Sequence, residues 1–461
     1  MAEQPKQDRR VQVSAVLIVR DEAPRLRRCL ESLKGVADEI VVVDTGSVDD
    51  TVAVAREYTD RVFFFSWEDD FAAARNCSIE HAAGEYVLAI DADTEIENRQ
   101  EARALLDRFM RQHDGAVAGT AEVTSPQGVG PEANTVVVSL QVFFRRDLFR
   151  YTGAVHEQLA LISGGMHRVT ATGLRYAHSG YALDAAEMRR KTQRNMRILR
   201  RELMKRPGDA YYLYQLGKAH FSLQEYAAAA AGFERALDAI QFTVAGPAID
   251  RSARPVAADT LTDLVVSLAY AYANTNRVQA AAALLDTHRR IGHPGTESAD
   301  FSYALGYVHI MLGDVPRAKA AYAASLDRGP AREQVRGTGS YGSHYHLGLL
   351  CEAEGKLPAA LEHYAQALRA KPDYAPAIAR CVDFITEYGM RPEAALWGLA
   401  EPKTLVDVYR RRLGTCVETG STEQARLLVE AAAAISTELS GACAAVRGNP
   451  DREGDTNAPG K

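Results

Sequence analysis

From Val13 to Ile90 the chain alternates between two rhythms of apolar residues. VSAVLIV (Val13–Val19), EIVVV (Glu39–Val43), RVFFF (Arg61–Phe65) and YVLAI (Tyr86–Ile90) are short, nearly continuous apolar runs rich in β-branched residues, the pattern of strands buried on both faces. Helical spacing fills the gaps. Over Asp21–Lys34 the residues Leu26, Cys29, Leu30 and Leu33 recur on one face and Gly35 ends the segment; helices over Asp50–Tyr58 and Phe71–His81 follow. Four strands alternating with three helices predict a doubly wound α/β sheet with right-handed crossovers. In such a sheet ligands sit off the carboxyl ends of the strands.

Beyond Pro207-Gly208 the pattern changes to alanine-rich helices with Leu and Tyr at fixed offsets. Leu216-Gly217, Leu268-Ala269, Leu305-Gly306 and Leu347-Gly348 are each followed by a turn residue (Gln224, Asn276, Gly313, Gly355) and then by a second helix carrying Phe233, Leu284, Tyr322 and Tyr364. The steps exceed the roughly 34 residues of the shortest helix-pair repeats, and the excess is predicted in the loops Gly246–Thr260 and Gly329–Gly342. Cys381–Ala434 reads as degenerate helical pairs closing the array. Stacked pairs of this kind leave a concave groove commonly used for an extended peptide or a partner.

Polar residues gather where the predicted strands end. Arg20-Asp21-Glu22 follows the first strand, Asp44-Thr45-Gly46-Ser47 the second and Asp91-Ala92-Asp93 the fourth. No G-x-G-x-x-G follows the first strand and no Walker lysine is present, so a glycine loop does not cradle phosphate here and a metal becomes the favoured device. Asp91 and Asp93, two residues apart as a buried strand runs out, can hold one Mg²⁺ or Mn²⁺ that keeps its other positions for water and phosphate oxygens. The plainer reading of such a tripeptide is a capped turn, and its place after YVLAI favours the metal.

The blocks VSAVLIVRDE, DEIVVVDTGSVDDT, DDFAAARN and GEYVLAIDAD, in this order over Val11–Asp93, resemble the nucleotide-sugar-binding half of family 2 glycosyltransferases. Two later blocks, GAVHEQL (Gly153–Leu159) and HSGY (His178–Tyr181) followed by Lys191, Arg194 and Asn195, are similar to the branch in which such a domain precedes tetratricopeptide repeats, that of the sublancin-type peptide S-glycosyltransferases. The resemblance implies an α/β GT-A (nucleotide-diphospho-sugar transferase) domain followed by an all-α tetratricopeptide-like helical repeat domain. It divides the chain into a flexible N-terminus (1–10), a GT-A domain (11–184), a basic linker helix (185–208), the repeats (209–447) and a disordered tail (448–461).

The same resemblance assigns roles. Asp21, Glu22, Asp44, Ser47, Arg75, Asn76 and Asp91 would line the nucleotide sugar, although the family commonly has Asn where this chain has Asp21; Asp44 and Ser47 would also serve as caps for the next helix. Asp91 and Asp93 would hold Mg²⁺ or Mn²⁺, with His178 completing the metal or diphosphate site. Glu157 or its neighbour His156 would act as base; an ordinary polar turn and a structural histidine are the plainer alternatives for these positions. The implied reaction is inverting transfer of a hexose from a UDP-sugar, UDP-glucose or similar, to a hydroxyl or thiol on a peptide or protein. Transfer to a saccharide or lipid-linked glycan, or a catalytically weakened scaffold, are the alternatives. A sugar nucleotidyltransferase would need a glycine-rich loop that LIVRDEAPRL lacks.

Composition narrows the partners. At roughly 150 residues per domain, 461 residues give about three units of fold. With 47% hydrophobic and 25% charged residues the chain has ample core material, and a net charge of −6 offers no polycation for nucleic acid. Glu187–Arg206 is a local exception, with nine Lys or Arg against two Glu. It reads as a solvated basic helix face that would steer an anionic donor. MAEQPKQDRR has no apolar segment behind it and no run reaches the roughly 18 apolar residues of a bilayer span, so neither export nor a membrane span is expected. Six scattered cysteines (Cys29, Cys77, Cys351, Cys381, Cys416, Cys443) predict reduced thiols and a cytoplasmic protein, and the repeats also allow a homodimer.

Overall fold

The computed structural model describes residues 11–113, 115–127, 134–178, 185–245, 258–292, 294–333, 335–390 and 397–435. The expected flexible N-terminus, Ser179–Tyr181 of the HSGY block, most of the Gly246–Thr260 loop, Cys443 and the 448–461 tail lie outside the described residues.

The opening alternation appears as β1 (Val13–Val19), α1 (Ala23–Leu33), β2 (Glu39–Asp44), α2 (Thr51–Arg56), β3 (Val62–Phe64), α3 (Phe71–His81) and β4 (Tyr86–Ala89). β3, β2, β1 and β4 pair in parallel in that order. Val13, Ala15 and Leu17 pack with Leu26 and Leu30 of α1 on one face, while Val16 packs with Ala72 and Ile79 of α3 on the other. Burial on both faces is why the runs are unbroken rather than alternating.

The sheet then departs from a purely parallel, doubly wound arrangement. β5 (Thr94–Ile96), α4 (Arg99–Gln112), β6 (Val117–Gln127), β7 (Asn134–Arg145) and β10 (Arg168–His178) extend it to eight strands in the order β3-β2-β1-β4-β7-β6-β10-β5. β7 runs antiparallel to β4 and β6, and β5 antiparallel to β10, so the sheet is mixed. The β10–β5 register sets His178 opposite Thr94. A separate ribbon of β8 (Phe149–Thr152) and β9 (Gln158–Leu161) packs against α3.

The chain forms two compact units that divide between Asn276 and Arg277. The first also contains α5 (Ala185–Lys205), α6 (Ala210–Ser222), α7 (Tyr226–Ala245) and α8 (Ala258–Asn274). The second contains α9 (Val278–Arg290), α10 (Ala299–Met311), α11 (Val315–Arg328), α12 (Tyr341–Ala353), α13 (Leu357–Ala370), α14 (Ala375–Tyr388), α15 (Pro402–Glu418) and α16 (Thr422–Ile435). The four expected turn residues, Gln224, Asn276, Gly313 and Gly355, all have positive φ, from 59° to 73°.

The small residue on the first helix of each pair has a steric reason. A Cβ on Gly217 would come within 2.5 Å of the Phe233 ring, and one on Gly306 within 2.7 Å of Tyr322. Phe233, Tyr322 and Tyr364 are fully buried as expected. In the remaining repeat the buried residue is Leu285 and not Leu284, at the offset from Ala269 that separates Phe233 from Gly217. Cys29, Cys77, Cys351, Cys381 and Cys416 are free thiols, and no helix among the described residues is long and apolar enough to cross a membrane.

His346 in α12 lies parallel to Tyr322, with ring centroids 4.9 Å apart, and edge-on to Tyr303. Burial pushes its imidazole down to about 4. The unfolded chain, with a value of about 6.5, therefore binds more protons between pH 6.5 and 4, and stability is lost as pH falls through that window by up to about 1.4 kcal/mol per unit. Thermal melts of the full chain between pH 7.5 and 5 should show this loss. His346→Phe should flatten the slope, and an unchanged slope would show that this side chain is not its source.

Candidate active site

Because β1, β2, β3 and β4 are parallel, the residues that follow them share one rim. Asp21 leaves β1 with φ of +54°, a conformation Asp tolerates better than most side chains. Its backbone N–H donates to Ser47 Oγ (3.0 Å) and its Oδ1 accepts from the Val48 N–H (2.8 Å), so Asp21 and Ser47 stitch the β1 and β2 loops together. Asp44 is buried and accepts from the N–H groups of Gly46 and Ser47, both at 3.1 Å. Asp44 and Ser47 therefore shape the turn, while α2 begins after Asp50, whose side chain makes no capping bond, and the preceding Asp49 accepts from the Thr51 N–H at 2.9 Å. The Glu22 N–H donates to Thr51 Oγ1, and its carboxylate meets Arg25 at 3.0 Å. Burial raises that carboxyl above its ordinary range against the pull of Arg25.

At the end of β4 two pairings form side by side. Asp91 Oδ1 accepts from Arg75 Nη2 at 2.7 Å, and Asp93 Oδ1 lies 3.1 Å from His178 Nδ1. Thr94 Oγ1 is also 3.1 Å from that nitrogen, as the cross-strand register requires. Burial alone would lift the Asp91 carboxyl, yet Arg75, with His178 and Lys191 farther off, brings it below the ordinary carboxylate value. The Asp91 side chain is nevertheless 44% exposed and open to an incoming ligand, whereas that of Asp93 is 10% exposed.

Arg75 is the join between this rim and the GAVHEQL block. Asp70 caps α3 by accepting from the Ala73 N–H at 2.9 Å, and the Phe71 N–H donates to Ala154 O at 2.8 Å, fastening the block to the start of α3. Gly153 and His156 turn the chain with positive φ, 97° and 50°. Glu157 Oε1 then accepts from Arg75 Nε at 2.5 Å. His156 stays next to it, its imidazole pushed down by burial with Glu157 opposing, and so neutral at pH 7. Asn76 is placed elsewhere: both ends of its amide bond the Tyr151 backbone at 2.9 Å.

The rim thus gathers Asp21, Glu22, Asp44, Ser47, Asp91, Asp93 and His178, and Arg75 ties Glu157 to it, with His156 next to Glu157 in the chain. Among the described residues no group of three His, Cys, Asp or Glu side chains is arranged to hold a metal ion. A hard cation such as Mg²⁺ takes only one or two carboxylates from a protein and completes its shell with phosphate oxygens and water, and the two carboxylates that follow β4 are of that chemical type. A small cavity of about 50 Å³ reaches Asp93 and Thr94 from the α1 side. A wider recess of about 480 Å³, lined by Glu85, Arg145, Arg146 and Asp147, opens by the amino end of β4, away from this chemistry.

Sequence reasoning missed the anchoring of α5. Asp69, with φ of +58°, accepts from Arg197 Nη2 at 3.1 Å, from Trp67 Nε1 at 3.0 Å and, through its carbonyl, from Arg201 Nη2 at 2.8 Å. Arg194 lies 5.1 Å over the Phe71 ring, and Lys205 and Arg206 pair with Glu202. The basic face is therefore only partly solvated. The signal was the doubled Asp of DDFAAARN, whose first member holds α5 and whose second caps α3.

Comparison with known proteins bears on the two kinds of domain. Residues 14–165 match the model of glycosyl transferase family 2, and residues 341–374 match a tetratricopeptide repeat. A TPR repeat-containing protein of Synechococcus elongatus is 35% identical over 215 residues, 45% of this chain and 51% of that protein. The SPbeta prophage-derived glycosyltransferase SunS of Bacillus subtilis is 25% identical over 217 residues, 45% of this chain and 48% of that protein. The chain thus spans about half the length of the curated relatives it matches. A glucosyl-3-phosphoglycerate synthase structure from Mycobacterium tuberculosis, with Mg²⁺ and UDP, aligns at 21% identity over 25% of this chain and 44% of that one; its TM-score of 0.22 lends no weight to a mechanism. The chain thus carries a glycosyl transferase family 2 domain over residues 14–165 and a tetratricopeptide repeat at residues 341–374.

Proposed function

We propose that this protein is an inverting glycosyltransferase that moves a hexose from a UDP-sugar to a hydroxyl or thiol on a peptide or protein. The observation that carries the reading is the convergence of Asp91 and Asp93, which end a central strand, with Glu157, which a buried arginine draws to the same rim. Asp21, Glu22 and the turn held by Asp44 and Ser47 supply the nucleotide side of that rim. A cation held by Asp91, Asp93 and His178 would supply charge stabilisation for the leaving diphosphate.

The protein's own residues then have simple tasks. The acceptor O–H or S–H attacks the anomeric carbon from the face opposite the nucleotide; the new bond forms as the bond to the phosphate oxygen breaks, and UDP leaves with that electron pair. The acceptor proton goes to Glu157 or His156. Glu157 is 12% exposed on its side chain and fixed by Arg75, so it is aimed without being solvated. Single displacement at one carbon inverts its configuration. A groove in the repeats is suited to hold an extended peptide acceptor; transfer to a glycan, or use of the repeats for dimerisation, remains the second assignment for that half.

Purified protein given UDP-glucose and Mn²⁺ should release UDP slowly even without an acceptor. EDTA should stop the release and added Mn²⁺ or Mg²⁺ restore it. Absence of UDP release across a panel of UDP-sugars, with mass spectrometry showing no glycosylated peptide, would overturn the reading.

A further inference from the structure

Arg75 sits where a nucleotide contact was expected, yet two of its three guanidinium nitrogens are already committed. Its side chain is 16% exposed, with Nη2 on Asp91 and Nε on Glu157, and its guanidinium carbon lies 5.4 Å from the centre of the Tyr151 ring. Burial opposes the charge, and the two carboxylates hold the guanidinium well above its ordinary value. The base of the side chain is fixed as well, since Asn76 next to it locks α3 to the Tyr151 backbone through both ends of its amide. A guanidinium is a rigid planar fork, so it cannot turn to follow one carboxylate without changing its bond to the other.

The two ends of the fork differ in freedom. Asp91 is 44% exposed, Glu157 only 12%. Asp91 is thus the carboxylate an incoming ligand can reach, whereas Glu157 is held.

We propose that Arg75 is a positioning residue that couples the donor side of the site to the acceptor side, holding Glu157 in place through the same fork that holds Asp91. This rests on the glycosyl-transfer reading and adds to it. Movement of Asp91 toward the donor changes the hold on Glu157, and loss of the fork releases both carboxylates. A direct phosphate contact would behave differently, because lysine replaces arginine tolerably at a phosphate but, as a point charge on a flexible stem, does not hold two carboxylates at the spacing of a rigid fork.

The experiment is a mutant cycle with two readouts: UDP affinity in Mn²⁺ by calorimetry, and UDP release from UDP-glucose. Arg75→Lys, with a melting temperature near that of the parent, should weaken UDP binding about tenfold and lower release at least about 100-fold. In the D91N background it should no longer weaken UDP binding, and in the E157Q background it should no longer lower release. Should Arg75→Lys fail to fold, the cycle between Asp91→Asn and Glu157→Gln with Arg75 intact reads the same coupling, and their losses in release should fall short of multiplying by at least about tenfold. Parental behaviour of Arg75→Lys, or losses that multiply fully in every pair, would overturn the coupling alone. A parent protein that binds no UDP and releases none would overturn the donor reading and the coupling with it.

Discussion

Asp93→Ala is expected to reduce UDP release from a sugar nucleotide by at least about 1,000-fold, the largest loss from any single substitution in the protein. Asp93 faces His178 at 3.1 Å, and its side chain is 10% exposed. Asp93→Asn separates charge from packing, since it preserves a group able to hydrogen-bond His178. Both variants should keep the parental circular dichroism and lose UDP release together. Release by Asp93→Asn within about threefold of the parent would remove Asp93 from the proposed machinery.

Glu157→Gln should lower transfer at least about 100-fold while UDP affinity changes by less than about threefold. The amide keeps the shape of the side chain and one acceptor for Arg75, but it cannot take the acceptor proton. The two constants therefore separate, with the rate falling and binding held. If the acceptor is a thiol, whose ordinary pKa is about 8.5, the deficit should shrink as pH rises toward that value, because the thiolate no longer needs a base. With a hydroxyl acceptor the deficit should persist. A variant that loses UDP binding and rate equally would mark Glu157 as a donor contact.

The parts of the fold that could be read from residue order are those whose burial is two-sided or periodic. β1 to β4 announce themselves because apolar side chains are needed on both faces of a parallel sheet, and the repeat turns because their φ must be positive. β6, β7 and β10 were not legible. Their sequences mix Thr, Ser, Gly and charged residues with apolar ones, and part of β7 is exposed, with Val138 and Leu140 at 40% and 46%. A weaker pattern of that kind does not outweigh the turn residues within it.

The site divides along the same line. Asp91, Asp93 and the β1 and β2 loops were legible because the ends of parallel strands are where ligands bind. The contact between Thr94 and His178 depends on an antiparallel register 84 residues away in sequence, and no local pattern carries it. Arg75 and Asn76 show the limit most clearly. Adjacent in sequence, and both expected at the nucleotide, they part company: one bridges two carboxylates and the other joins a helix to a strand.

The hold of Asp69 on α5 bears on how the helical array begins. Repeat arrays expose an apolar face at each end unless a terminal element covers it. Here α5 is pinned to the loop before α3, and α6 follows directly, its Tyr212 under Arg206 and its first turn capped by Asp209. The transferase domain itself does the work of an N-terminal lid for the first helices, and the boundary of compactness falls after Asn276 rather than near Gly208. A fragment cut between sheet and repeats would therefore expose the buried faces of α5 and α6, so the shortest self-contained version of the sheet domain carries its first helices with it.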